Sequence, residues 1–442
     1  MLSILNKSNI KLIKYGQYCF YIGTLLLATT NFFAGIFYLI SLIISFTEKS
    51  NVFKKDNWFF TLFICTIIIV LSSIYTYTIS QDNNEIYTVL KANSWSSSAI
   101  WLNVFNWIPL FLAFYGFQNY LKTEIQRKNF AKFLFIGVIP VLFTIILQTW
   151  FEVNGPFRYL NGLLVFYLKK INITNTGSAG LFSNPNYAGL WLSATLPFSF
   201  QILETYKSSK IKFSFLFSIT ITILYCILLT KSRNSFLGII ISISLMLSTK
   251  FLFFLLFVGL LLFLFSQWVL PSFLGITDLE LLPTGIFNKL FQTNYFDKLK
   301  FTRIDIWGKA IKLVLEKPLL GWGASTFPIL YLIRGGVERS QHTHSMILEI
   351  AQINGIPLAI LLTGFVSLLF VNTWKIIFIQ NKNSISIINK AWITSFLIIM
   401  ISHISDITYY DGRVSLLVWI LMAGLKTILD EDNLKHKLKK LS

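Results

Sequence analysis

The chain has 442 residues, 55% hydrophobic, 17% aromatic and only 13% charged. A soluble domain carries about 25% charged residues, so this composition, with its repeated long apolar runs, excludes a water-soluble fold and indicates a polytopic, all-α membrane protein. The formal charge of +19 would suit a nucleic-acid binder, but Lys and Arg are spread through many loops. Most of them read as cytoplasmic anchors under the positive-inside rule, and no nucleic-acid partner is expected.

A spanning helix needs about 20 mainly apolar residues. The first apolar segment follows Lys7, Lys11 and Lys14 and is expected to be retained rather than cleaved. The run 17–46 is too long for one upright helix and carries a polar break at Thr29-Thr30-Asn31, so it predicts two spans. Further spans are predicted at 58–79, 100–118, 132–151, 186–204, 212–230, 234–249, 251–270, 344–372, 390–409 and 413–428, twelve in all. Cys19, Cys65 and Cys226 lie within apolar segments without paired spacing and read as small buried hydrophobes.

Twelve spans put both termini on one side. The N-terminus, 47–56, 119–132, 205–212, Lys250, 373–390 and the Lys-rich tail share a face, which the positive-inside rule makes cytoplasmic. The loops at 81–99, 152–185, 231–234, 271–343 and 410–412 then lie outside. The organisation expected is a bundle over 1–270, a large outer loop over 271–343, further spans over 344–428 and a basic tail over 429–442.

The outer loop departs from its neighbours: it carries nine Lys or Arg residues, including Arg303, Arg334 and Arg339, and ends in Gln341-His342-Thr343, directly before His344. Anchoring does not explain basic residues on that side. Within it, Arg303 to Glu316 has helical periodicity, with Ile304, Trp307, Ile311, Val314 and Leu315 on one face and Asp305, Lys309, Lys312 and Glu316 on the other, ended by Pro318. Such a helix is expected to lie along the bilayer surface.

Four fragments carry a resemblance. Gly180–Leu190 reads G-L-F-S-N-P-N-Y-A-G-L and opens a span; Ser232-Arg233 stands at an outer helix end; Arg303 with Trp307 begins the surface helix, followed by P-L-L-G-W-G at Pro318–Gly323; and His344 opens a span with Gly355 eleven residues on. In this order, with the large loop between spans, the chain resembles the O-antigen ligase and polymerase superfamily of bacterial membrane glycosyltransferases. Where that family has His-Asn, this chain has His344-Ser345. The resemblance implies an inner-membrane bundle of about twelve helices that moves a glycan from an undecaprenyl diphosphate carrier to a lipid- or sugar-linked acceptor at the periplasmic face. It implies no cofactor. Some cyanobacterial relatives have been labelled bicarbonate transporters, which supplies a rival function from another class; this chain shows no internal repeat of the kind transporters carry.

On that resemblance His344 is the catalytic candidate, with His342 second. Imidazole suits proton transfer near neutral pH. On a helix the two would point about 200° apart, so both can face one site only if the segment is extended. Arg233, Arg303, Arg334 and Arg339 are candidate diphosphate contacts, because guanidinium pairs with phosphate bidentately; the alternatives are snorkelling helix ends and solvated loop charges. Asn184 and Asn186 most simply cap a helix around Pro185. Trp307, Glu349, Asp406 and Arg413 are supporting candidates, with Asp406 and Asp411 expected to neutralise Arg413 or Arg233. A charge within a span faces protein or water. No metal is expected, since an H-x-H pair alone is a weak zinc signal.

Overall fold

The structure, a computed structural model, describes residues 2–47, 56–82, 84–170, 177–247, 303–336, 340–380 and 386–441. The expected span at 251–270, the loop residues 271–302 and Arg339 lie outside these. Among the described residues seven helices are long and apolar enough to cross a membrane, and two more apolar helices are shorter.

The chain divides into two compact units, residues 1–134 with 298–442, and residues 135–297. In the first unit α1 (Leu2–Leu26) and α2 (Asn31–Thr47) form a hairpin that breaks at the Thr29-Thr30 turn the polar residues mark. Helices α3 (Asn57–Gln81) and α5 (Trp101–Gln118) follow, separated by the short α4 (Glu85–Ala92), which stands where only a loop is predicted. Asp56 caps α3 by accepting from the Phe59 N–H at 2.9 Å. One flank of α3 leaves Phe60, Phe63, Ile67 and Leu71 exposed, as a lipid-facing surface requires.

Helix α6 (Glu124–Trp150) runs across the division. The second unit contains α7 (Pro185–Thr205), α8 (Lys210–Leu229) and α9 (Arg233–Met246), with a two-stranded antiparallel hairpin, β1 (Phe157–Tyr159) and β2 (Leu164–Phe166), in the segment predicted as loop. Helix α7 is buried almost throughout and packs on α8 and α9. Gly189 permits the close approach to α9, since a Cβ there would sit 2.2 Å from the Ser235 Oγ. The N-P-N run begins α7 as its sequence predicts: Asn184 is the N-cap, its side chain accepting from the Asn186 N–H at 2.8 Å, and Pro185 takes the first helical position.

The remainder of the first unit comprises α10 (Arg303–Glu316), α11 (Phe327–Ile333), α12 (Met346–Asn354), α13 (Ile356–Trp374), α14 (Ile387–Ser405) and α15 (Gly412–Leu441). Helix α15 is the core of the bundle, burying Val414, Leu417, Trp419, Leu421 and Leu425 against α5, α13 and α14. It continues through the segment expected as a tail. At its far end Arg127, fully buried, pairs with Glu431 at 2.7 Å.

Two expectations are corrected. The span predicted at 344–372 is two helices, α12 and α13, broken at Gly355, whose φ is +89°. The segment Pro318–Gly323 occupies the notch: Ile356 N–H donates to the Pro318 oxygen at 2.7 Å, Trp322 N–H to Gln352 at 2.8 Å and Gly323 N–H to Ile353 at 3.0 Å. A Cβ at 355 would lie 2.1 Å from the Leu319 oxygen, so only glycine meets both the backbone angle and the approach. The second concerns α10. Its packed face is Ile306, Ala310, Leu313 and Val314, whereas Ile304, Ile311 and Leu315 of the predicted apolar face are exposed. The helix carries two apolar stripes, and the packed one meets Tyr87 and Leu90 of α4, Trp95, Trp322 and Phe327 in one cluster.

Candidate functional site

The cluster under α10 explains how the polar island is held. Trp322 donates from its indole N–H to the Leu313 oxygen at 2.8 Å, Trp95 to the Ala324 oxygen at 3.1 Å, and Tyr87 to the Trp322 oxygen at 3.3 Å. The Lys317 ammonium lies 4.2 Å from the Trp322 ring and 3.0 Å from the Tyr87 hydroxyl. Residues from the 81–99 and 303–336 loops, which charge counting puts on one side, therefore share a core. Asp305, accepting from Lys309 at 2.6 Å and from the Tyr331 hydroxyl at 2.8 Å, ties α10 to α11.

The histidines stand just before α12, whose first residue is Met346. Because the segment is not yet helical, both rings occupy one side, with centroids 4.4 Å apart at 72°. His344 has φ of +54°, a left-handed conformation that is uncommon outside glycine. Two contacts hold the turn. Thr343 donates its N–H to the Glu349 Oε2 at 2.9 Å, and its hydroxyl donates to the Ser345 oxygen at 2.9 Å. The Tyr410 hydroxyl occupies the other Glu349 oxygen at 3.0 Å. Burial pushes the Glu349 carboxyl up, opposed by the Thr343 and Tyr410 hydrogen bonds and by His344.

Asp406, at the C-terminal end of α14, faces His344, its Oδ1 lying 3.2 Å from the Nδ1. The same oxygen accepts the Ile407 N–H at 2.9 Å. The Asp406 side chain is 7% exposed and that of His344 30%, so the carboxylate is sealed in while the imidazole can be reached. Burial pushes the Asp406 carboxyl up, but the bond to His344, the Ile407 N–H and the Arg303 charge outweigh it and hold the pKa below the usual range. His342 is pushed down to about 4, first by burial and then by the charges of His344 and Arg303, with Asp406 opposing. Its Nδ1 is buried without a partner among the described residues. Arg303, the first residue of α10, thus acts electrostatically on both His342 and Asp406.

His342, His344 and Asp406 each offer a donor atom within 4.8 Å of the others, so they are the described residues that could hold a metal ion. In the following turn Tyr409 stacks on Trp107 at 4.8 Å and accepts from the Trp419 N–H at 2.8 Å.

Other candidates are placed differently. Arg413 is buried and bidentate with Asp411, at 2.8 and 2.6 Å. Asp406 pairs with His344, and Asp411 neutralises Arg413. Arg334 ends α11 and pairs with Glu316 at 2.7 Å in an exposed bridge. Trp307 is half-buried on α10, its indole N–H without a partner among the described residues. Asn184, Asn186 and Arg233, the exposed first residue of α9, belong to the second unit. Sequence reasoning missed Thr343 and Tyr410. Thr343 sits inside the H-x-H motif, but nothing local signals Tyr410.

Residues 218–363 match the family model described as O-antigen ligase, which supports the O-antigen ligase superfamily for this chain. The matched stretch contains Arg233, Arg303, both histidines and Gly355, and stops short of Asp406. No curated protein matches the chain.

Proposed function

We propose that this membrane protein, with an O-antigen ligase- or polymerase-type role, transfers a glycan from a polyprenyl diphosphate carrier to an acceptor hydroxyl at the outer face of the inner membrane. The observation that carries the reading is the His344–Asp406 contact at 3.2 Å under the influence of Arg303. A buried carboxylate that accepts the Nδ1–H fixes the imidazole tautomer and leaves Nε2 free to take a proton. The acceptor oxygen then attacks the anomeric carbon as its proton passes to the His344 Nε2. The bond from that carbon to the diphosphate breaks with its electron pair on the leaving oxygen, and the configuration inverts.

Arg303 stabilises the departing diphosphate, aided by the N-terminal amides of α10. Arg334 is a further contact for the same charge. Arg334 can leave Glu316 for a phosphate cheaply, since an exposed pair of this kind is worth about 0–1 kcal/mol. His342, with its pKa pushed down to about 4, is a weak base and stays uncharged at neutral pH, which favours His344 as the acceptor of the proton. Arginine neutralisation makes a metal ion unnecessary to the step. Glu349, through Thr343, sets the turn that carries both rings.

The test is transfer from a polyprenyl-diphosphate-linked glycan in proteoliposomes. His344→Ala is expected to lower the rate by about 10²–10⁴, the usual worth of general-base help, with protein levels unchanged. Undiminished transfer removes His344 from the reaction. Bicarbonate flux through the same vesicles, without any glycan transfer, would replace the enzyme with a transporter.

A further inference from the structure

The cluster of His342, His344 and Asp406 has a geometry that the transfer step does not require. The His344 Nδ1 and the Asp406 Oδ1 stand 3.2 Å apart. Two ligands held at about 2.0–2.1 Å by one tetrahedral zinc ion lie about 3.3 Å from each other, so this pair already has the bite of a shared ion. His342 supplies a third donor. Its ring centroid lies 4.4 Å from that of His344, and its Nδ1 is buried without a partner among the described residues. One donor atom from each of the three residues falls within 4.8 Å of the others. The His344 side chain is 30% exposed, so an ion can reach the pair. Three protein ligands leave the fourth position to water.

We propose that a divalent late transition-metal ion, zinc being the type case, binds His342, His344 and Asp406 and switches glycan transfer off. Two imidazoles and a carboxylate suit zinc, copper or nickel, whereas magnesium and calcium prefer shells made of oxygen alone. Inhibition follows from the nitrogen used. In the reaction proposed above, Nδ1 keeps its hydrogen toward Asp406 and Nε2 takes the acceptor's proton. An ion held against the Asp406 Oδ1 takes the Nδ1 lone pair instead. The Nδ1 proton leaves to solvent and a proton settles on Nε2. The ring stays neutral and nothing is oxidised or reduced, but the nitrogen that must accept a proton already carries one. The Arg303 charge acts on both His342 and Asp406 and opposes a second cation. Affinity is therefore expected in the micromolar range, weaker than that of structural zinc sites, so occupancy follows the free metal concentration. The inhibition rests on the function proposed above; the binding does not.

The experiment uses the full-length protein in nanodiscs, stripped with a chelator that is then removed. Zinc binding is read by competition with a chromophoric chelator. One ion bound at the cluster is expected, weakened at least about tenfold by His342→Ala and by Asp406→Asn, since even loss of a residue that only supports a ligand costs about 10- to 100-fold. No binding, or binding that neither substitution alters, overturns the site. A second measurement needs no variant: electron paramagnetic resonance of copper bound to the wild-type protein should show nitrogen couplings from two imidazoles, and a spectrum without them overturns the site. In transfer-competent proteoliposomes, saturating zinc should lower the rate at least tenfold, magnesium should leave it unchanged, and added chelator should restore it. Zinc bound through these residues with transfer undiminished overturns the inhibition. Zinc bound there in a chain that transfers no glycan under any condition overturns the proposed reaction and keeps the ion site.

Discussion

Asp406→Asn isolates the contact on which the proposed chemistry turns. The substitution keeps the shape of the side chain and an oxygen able to accept the Ile407 N–H, while removing the negative charge 3.2 Å from the His344 Nδ1. Asp406 is 7% exposed, so water does not replace what is lost. A hydrogen bond to a charged group is worth about 1.5–3 kcal/mol. At about 1.4 kcal/mol per tenfold change in rate, full loss of that interaction in the transition state lowers kcat by about 10- to 150-fold. Because the carboxylate stabilises the imidazolium that forms during transfer, and not the bound carrier, KM for the lipid-linked donor should stay within about twofold. The assay is initial-rate transfer in proteoliposomes over a range of donor concentrations. Wild-type kcat in the Asn variant would refute the assignment, as would a rise in KM with kcat unchanged, which would make Asp406 a binding residue.

Gly355→Ala should destabilise the protein by about 1–3 kcal/mol from backbone strain alone, with the clash against the Leu319 oxygen added; a thermal melt of the detergent-solubilised protein that matches wild type would contradict the notch described between α12 and α13. Dialysis against a strong chelator should leave glycan transfer unchanged. Loss of activity restored by zinc or manganese would mean that His342, His344 and Asp406 act as metal ligands, and would remove the general-base step.

Much of the helical framework is legible locally, because hydropathy and helix punctuation act over one or two turns. The break at Thr29-Thr30, the N-P-N start of α7 and the stop after Glu316 are all read from adjacent residues. The polar island and its His and Arg residues also stand out, since charged groups beside lipid-like segments are costly unless they have a task. The family resemblance marks His344 and Gly355 as a pair.

What the linear chain cannot carry is partner choice. Helix α10 has apolar residues on two faces, and only the aromatic cluster supplied by α4, 230 positions from Lys317 across the Tyr87 contact, selects Ile306, Ala310 and Leu313 for burial. Asp406 and His344 are 62 residues apart, and only the fold sets the carboxylate beside the ring while Asp411 meets Arg413. Why position 355 must be glycine emerges only when the Pro318–Gly323 backbone is laid against it. Composition and periodicity, being local, determined that this chain is a helical membrane protein with a basic, histidine-bearing loop. Contacts between distant segments, each decided by burial and hydrogen bonding in three dimensions, determined which imidazole meets a carboxylate and which face of each helix is covered.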